Sequence, residues 1–188
     1  SPPMASIERT AYPRFPRQLS DQELDVRLGP TIEETELTLS ESQGDEARLT
    51  FLVMLKSRQQ LGYFPLLDEV PEQVIVFLRT VLNLSASTGL IDGRAKSHTL
   101  SRSRNALRAH LSVRRYGDGG EAVIDPVIRA ATLTMSDPAD LINLAIETLV
   151  KAHVELPAFS ALDRVFGHLR QKVHAALYHS ITTGLTPA

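Results

Sequence analysis

The chain predicts an all-α fold, on three observations. Apolar residues recur at three- and four-residue intervals along most of its length, capping signatures precede those stretches, and no segment alternates apolar and polar residues between hairpin turns. About eight helices are expected, in two helix-turn-helix-like units over 20–62 and 71–115 and a C-terminal helical part over 118–188.

The first nineteen residues precede this pattern. Ser1-Pro2-Pro3 ahead of Met4 reads as a remnant of recombinant expression. Tyr12-Pro13-Arg14-Phe15-Pro16-Arg17 cannot hold a regular helix, since each proline lacks an amide donor and restricts the residue before it. Residues 1–19 are therefore expected to form an extended basic arm, with Arg9, Arg14 and Arg17 as its cations.

Ser20 with Glu23 has the capping-box spacing, Leu24 and Leu28 make an i, i+4 apolar pair, and Gly29-Pro30 is expected to stop the helix through a left-handed glycine. Thr31 with Glu34 repeats the box and opens a second helix to about Leu39. After Ser42-Gln43-Gly44-Asp45, Leu49, Phe51, Leu52, Met54 and Leu55 give a third helix a broad apolar face ending at Gly62. Three helices joined by tight turns have the spacing of a helix-turn-helix unit. Tyr63 to Val70 reads as a linker, and Pro71 stands at the first helical position before Val74, Ile75, Leu78, Val81 and Leu82. Ser85 to Gly93 reads as a loop, followed by a helix from about Thr99 to Leu111 with Leu100, Ala106 or Leu107, and Leu111 inward. Gly117, Gly119 and Gly120 break the chain. Asp125-Pro126 starts or kinks a helix to about Leu133; Asp137-Pro138 opens one to about His153, with Leu141, Leu144, Ala145, Thr148 and Leu149 on one side; Ser160 with Asp163 opens the last, to about Ile181.

At 43% hydrophobic and 22% charged residues, the composition is that of a globular protein, long enough to bury a core without staples. The absence of cysteine removes disulfide frameworks, Cys-ligated zinc, iron–sulfur clusters and thiol nucleophiles. No apolar run reaches the ~18 residues of a membrane span and no signal-peptide layout opens the sequence, so no membrane partner and a cytoplasmic location are expected. The histidines at 98, 110, 153, 168, 174 and 179 include no helical pair with an intervening glutamate. The glycines at 117–120 have no Lys-Ser/Thr phosphate grip, and no serine sits in a nucleophile elbow. Glu33, Glu34 and Glu36 are a helix's polar face and first turn, where the macrodipole favours negative charge. No catalytic site, metal or cofactor is expected in these 188 residues.

Charge segregation carries more information than the net charge of −2. Residues 94–115 hold Arg94, Lys96, Arg102, Arg104, Arg108, Arg114 and Arg115 with no acid, a charge of +7 that leaves −9 for the remainder. Residues 20–50 hold nine acids against Arg27 and Arg48. A helix with arginines at 102, 104 and 108 offers guanidinium forks to phosphates and to guanine edges, and Ser101, Ser103 and Asn105 offer shorter donors. On a helical wheel Ser101, Arg104, Asn105 and Arg108 share one side and are the expected base-edge contacts; Arg102 to one side, Lys96, Arg114 and Arg115 are expected phosphate contacts. The bland alternative is a solvated face pairing with the acidic helices. Either way, distribution is the quantity to follow.

Three segments resemble one family. Gly44-Asp45 followed by Arg48-Leu49 heads the apolar helix; Thr99-Leu100 through Leu107-Arg108 and Leu111 forms a hydrophobic-arginine helix; Leu156-Pro157, Leu162, Arg164 and Arg170 follow near the end. With the arm carrying Tyr12 and Phe15, these segments in this order, over about 8–182, resemble the N-terminal region of transposases of the Tn-three type, the large replicative transposases of bacterial class II transposons. The resemblance implies a bacterial cytoplasmic protein whose helical N-terminal domains bind the terminal inverted repeats as duplex DNA. It implies, too, a downstream Asp-Asp-Glu catalytic domain that uses magnesium and lies outside these residues, so this portion binds ends without cutting them. Its partners would be transposon-end DNA and the rest of the transposase, dimeric in the full-length complex. The resemblance also covers Arg48, which is equally suited to a phosphate contact and to an ion pair with Asp45 or Glu46, and Arg164 and Arg170, equally suited to DNA and to interdomain pairing. Two rivals come from other classes: a helix-turn-helix transcription regulator with a ligand-binding half at 118–188, and an all-α protein-interaction module whose basic segment docks an acidic surface.

Overall fold

Ser20 and Thr31 open the first two helices of the computed structural model, which describes residues 6–184. In each, the hydroxyl accepts the backbone N–H of Glu23 or Glu34 while that glutamate accepts the cap's own N–H, the complete capping box. The helices are α1 (Asp21–Leu28) and α2 (Ile32–Glu41), followed by α3 (Asp45–Leu61), α4 (Glu72–Val81), α5 (Ser97–Leu111), α6 (Gly120–Ala131), α7 (Pro138–Lys151) and α8 (Phe159–Gly184). Two single 3-10 turns, Ile7–Arg9 and Leu67–Glu69, and one isolated bridge between Arg114 and Val154 complete the described residues. The class is all-α. Ser1-Pro2-Pro3 and Met4 lie outside the described residues.

The chain divides into two compact units, one of Pro13–Ser112 and one joining residues 1–12 to Val113–Ala188. In the first, α3 is the central helix. Leu49, Phe51, Leu52, Val53, Met54 and Leu55 are all at most 1% exposed, so α3 is covered on every side, with α1, α2, α4 and α5 packed around it. At about 1.5–3 kcal/mol per fully buried large apolar side chain, this helix supplies a large share of the unit's driving force. The stretches 20–62 and 71–112 pool their apolar residues into this one core, which takes in Leu24, Leu28, Val74, Leu78, Leu100 and Leu107.

Between α1 and α4, three points differ from the expectation. Gly29 is extended (φ −60°, ψ 124°) rather than left-handed, because Pro30 pushes the residue before it out of the helical region. Glycine is still required there, since a Cβ would collide with the Asp25 carbonyl oxygen. Residues 63–70 are no linker: Pro65 and Val70 are buried, Phe64 and Leu67 pack on the core, and the Tyr63 hydroxyl donates to the Pro13 carbonyl at 2.9 Å. Pro71 is the N-cap of α4, one position earlier than expected.

The arm is not simply extended. Its first part turns through Ile7–Arg9 and belongs to the second unit, where Arg9 pairs with Asp137 at 3.2 Å and the Ala11 N–H donates to Asn143 Oδ1 at 2.6 Å. Tyr12 is buried there, its hydroxyl on the Pro157 carbonyl at 2.6 Å and its ring edge-on to Phe159 at 5.6 Å. Its later part, with Arg14 and Arg17 exposed, is fastened to the first unit where Gln73 grips both backbone groups of Leu19.

In the second unit α6, α7 and α8 pack around Ile124, Ile128, Leu141, Ile142, Ala145, Leu149, Leu162 and Phe166. α6 starts at Gly120, earlier than expected, and continues through Pro126. Gly120 has to be glycine because a Cβ would run into the Tyr116 ring. α8 starts at Phe159, one residue ahead of the expected Ser160 cap.

Candidate nucleic-acid interface

The buried side of α5 is set by Leu100 and Leu107, with Leu111 beside them. At 100° per residue Arg104 falls only about 40° from Leu100 and about 20° from Leu111, which places it on the flank of the core side, half-buried. The exposed crest of the helix instead carries Ser101, Arg102 and Asn105, with Arg102 near its centre. Arg94 and Lys96, just ahead of the helix, are exposed as well, in a turn fixed by Asp92: its carboxylate accepts the Arg94 N–H at 2.9 Å and its carbonyl the Lys96 N–H at 2.9 Å.

Phe64 and Asn105 are among the neighbours that hold Arg108. Its guanidinium stacks 5.2 Å from the centre of the Phe64 ring and donates to Asn105 Oδ1 at 2.9 Å. This fixes Asn105 as well, leaving its amide N–H₂ end for another acceptor. Phe64 is a residue that sequence reasoning passed over, since it fell in the stretch read as a linker.

Of the other expected contacts, Arg14 and Arg17 are exposed on the later arm. Arg48 is half-buried and lies 3.9 Å from Asp45, one turn back on α3, the ion-pair alternative at the limit of its range. Arg114 and Arg115 are exposed but belong to the second unit, where the Arg114 backbone is bonded to His153 and Glu155. The basic run is therefore shared between the units: five of its seven cations, Arg94 to Arg108, stay with the first. Arg164 is exposed on α8, and the side chain of Arg170 lies outside the described residues.

A groove of about 380 Å³ opens beside the crest. Ser42 and Gln43, in the turn between α2 and α3, form one wall; Lys96, Thr99, Arg102 and Ser103 form the other. Thr50, buried on α3, holds the floor by accepting the Ile91 N–H at 2.9 Å. The turn depends on Gly44, whose φ of 87° and ψ of 156° lie in a region that essentially only glycine occupies, with open space where a Cβ would stand. Gly44→Ala is expected to lower the unfolding free energy by about 1–3 kcal/mol through backbone strain alone, measured by urea denaturation; an unchanged midpoint would mean that the turn relaxes. Among the described residues no three histidine or carboxylate side chains converge as metal ligands. No described helix is long and apolar enough to cross a membrane.

Residues 4–169 match the family described as Domain of unknown function (DUF4158). The chain belongs to this family. The DUF4158 match takes in both units and runs into α8, so the groove, the α5 crest and the Tyr12–Pro157 contact all lie inside it. No curated protein matches the sequence.

Proposed function

We propose that this DUF4158 domain binds duplex DNA at the terminal inverted repeats of a transposon, as the non-catalytic N-terminal portion of a bacterial transposase of the Tn-three type. The observation that carries the reading is the α5 region. Arg94, Lys96 and Arg102 are exposed, residues 94–115 contain no acid, and the side chains of these three cations make no hydrogen bond or ion pair among the described residues. A solvated face pairing with the acidic helices would have consumed them. Guanidinium and ammonium groups left in this state release counterions when they meet phosphates, and that release is the main source of DNA affinity. The ordered motifs that resemble the transposases supply the target.

In this reading the crest of α5 enters a groove of the duplex, with Asn105 and Ser101 at base edges and Arg102 and Lys96 on the backbone. Arg14 and Arg17 extend the contact along phosphates. Arg104 and Arg108, expected from the sequence to read bases, act instead from the flank: Arg108 through its stack on Phe64 and its hold on Asn105. Strand cleavage and its magnesium belong to the downstream Asp-Asp-Glu domain of the parent enzyme.

Nuclease footprinting on a transposon-end duplex tests the reading. Protection of the terminal repeat at concentrations that leave a shuffled duplex uncovered is the expected result. Equal coverage of both duplexes, or of neither, would overturn it.

A further inference from the structure

The groove between the α2–α3 turn and α5 gathers polar side chains that engage nothing among the described residues. Gln43, Lys96, Thr99, Arg102 and Ser103 line it, and none of their side chains makes a hydrogen bond or ion pair among the described residues. Two carry full positive charge. Polar groups gathered on a concave wall and left to water are what a ligand of complementary charge exchanges for its own hydration. Glu41 also lines the groove, but it is exposed and keeps its water, so the walls remain net positive.

We infer that this groove is a clamp for a phosphodiester of the bound strand, in which Lys96 and Arg102 supply charge and Gln43, Thr99 and Ser103 donate neutral hydrogen bonds to the phosphate oxygens. The inference rests on the DNA-binding reading and adds to it a specific seat for the backbone. Thr99 and Ser103 are one helical turn apart on α5, so their hydroxyls can reach the same phosphate group or its neighbour. Arg102 belongs to the crest and also lines the groove, so a phosphate held here would set the depth at which Ser101 and Asn105 meet base edges. The opposite wall comes from the turn that Gly44 makes possible. The Gly-Asp signature and the basic helix, distant in sequence, would thus serve one contact.

Neutral substitutions separate a built clamp from a diffuse positive field. Gln43→Ala/Thr99→Val/Ser103→Ala removes no charge. Loss of two or three neutral hydrogen bonds is expected to weaken binding about tenfold on both a transposon-end duplex and a random duplex, with the slope of log K against log salt unchanged. Lys96→Gln, in contrast, is expected to flatten that slope by about 0.9. Gln43 is exposed, so Gln43→Ala alone, with an unchanged melting curve and a loss of about threefold, provides the same readout should the triple variant fold poorly. If the neutral variants bind as tightly as the parent chain, the clamp is refuted and the DNA-binding reading stands. If the parent chain binds no duplex at all, that reading is refuted and the clamp with it.

Discussion

Lys56→Met is expected to lower the unfolding free energy by about 3–5 kcal/mol at neutral pH, measured by urea denaturation followed by circular dichroism. Lys56 lies on the central helix α3 and Glu34 on α2, their side chains 7% and 8% exposed, with Nζ 3.2 Å from Oε1 and 3.3 Å from Oε2. The carboxylate also accepts the Thr31 N–H at 2.8 Å and the Gln59 amide at 2.7 Å. Burial pushes the Glu34 carboxyl up, but the Thr31 N–H, the Gln59 amide and the Lys56 ammonium together outweigh it and hold the group below its ordinary value of 4.5. Removing the ammonium leaves a buried carboxylate with no counter-charge, and that uncompensated charge, more than the lost attraction, is the cost. Because folding lowers this pKa, the stability it contributes is present above 4.5 and is lost as pH falls through the folded value. The gap between the parent chain and Lys56→Met should therefore narrow as the pH falls and Glu34 becomes protonated. Adding Glu34→Gln, which keeps the capping box but drops the charge, is expected to recover most of the loss. A Lys56→Met chain within about 1 kcal/mol of the parent at neutral pH would mean that water reaches the pair.

This pair marks the boundary between what was legible in the sequence and what was not. Both capping boxes and the stop at Gly62 depend on residues three or four apart, so spacing alone carries them. Glu34 was legible as a cap and not as half of an ion pair, because Lys56 stands 22 positions away and reads as one more cation near the end of an apolar helix. The candidate site divides in the same way. The basic run and its freedom from acids follow from sequence, which sets Arg102 to one side of the reading face rather than near the middle of the exposed crest. The orientation of α5 does not, since Leu100, Leu107 and Leu111 together fix a core direction that brings Arg104 close to its edge. Phe64 beneath Arg108, and Gln43 across from Thr99, are products of tertiary packing around α3. The sequence marks Gly44 only as part of a motif; its φ of 87° gives the motif a physical reason.

Arg94→Gln/Lys96→Gln/Arg102→Gln is expected to nearly abolish duplex binding at physiological salt while leaving the melting temperature unchanged. The three side chains are exposed and engage nothing within the described residues, so their loss costs the fold little. Each phosphate contact accounts for about 0.9 of the slope of log K against log salt, and the triple variant should flatten it by about 2.7. Net charge alone would not have this effect. Arg27→Gln/Arg129→Gln/Lys151→Gln removes the same charge from exposed cations elsewhere, taking the chain from −2 to the same −5. These cations lie on α1, α6 and α7 and none belongs to the α5 face, so if phosphates are held by contact at that face the variant should reduce affinity slightly and leave the slope near that of the parent chain. Fluorescence anisotropy titrations at several salt concentrations distinguish the two. Equal flattening in both triple variants would mean that the molecule meets DNA through its overall charge, and that the α5 face has no privileged part in the contact.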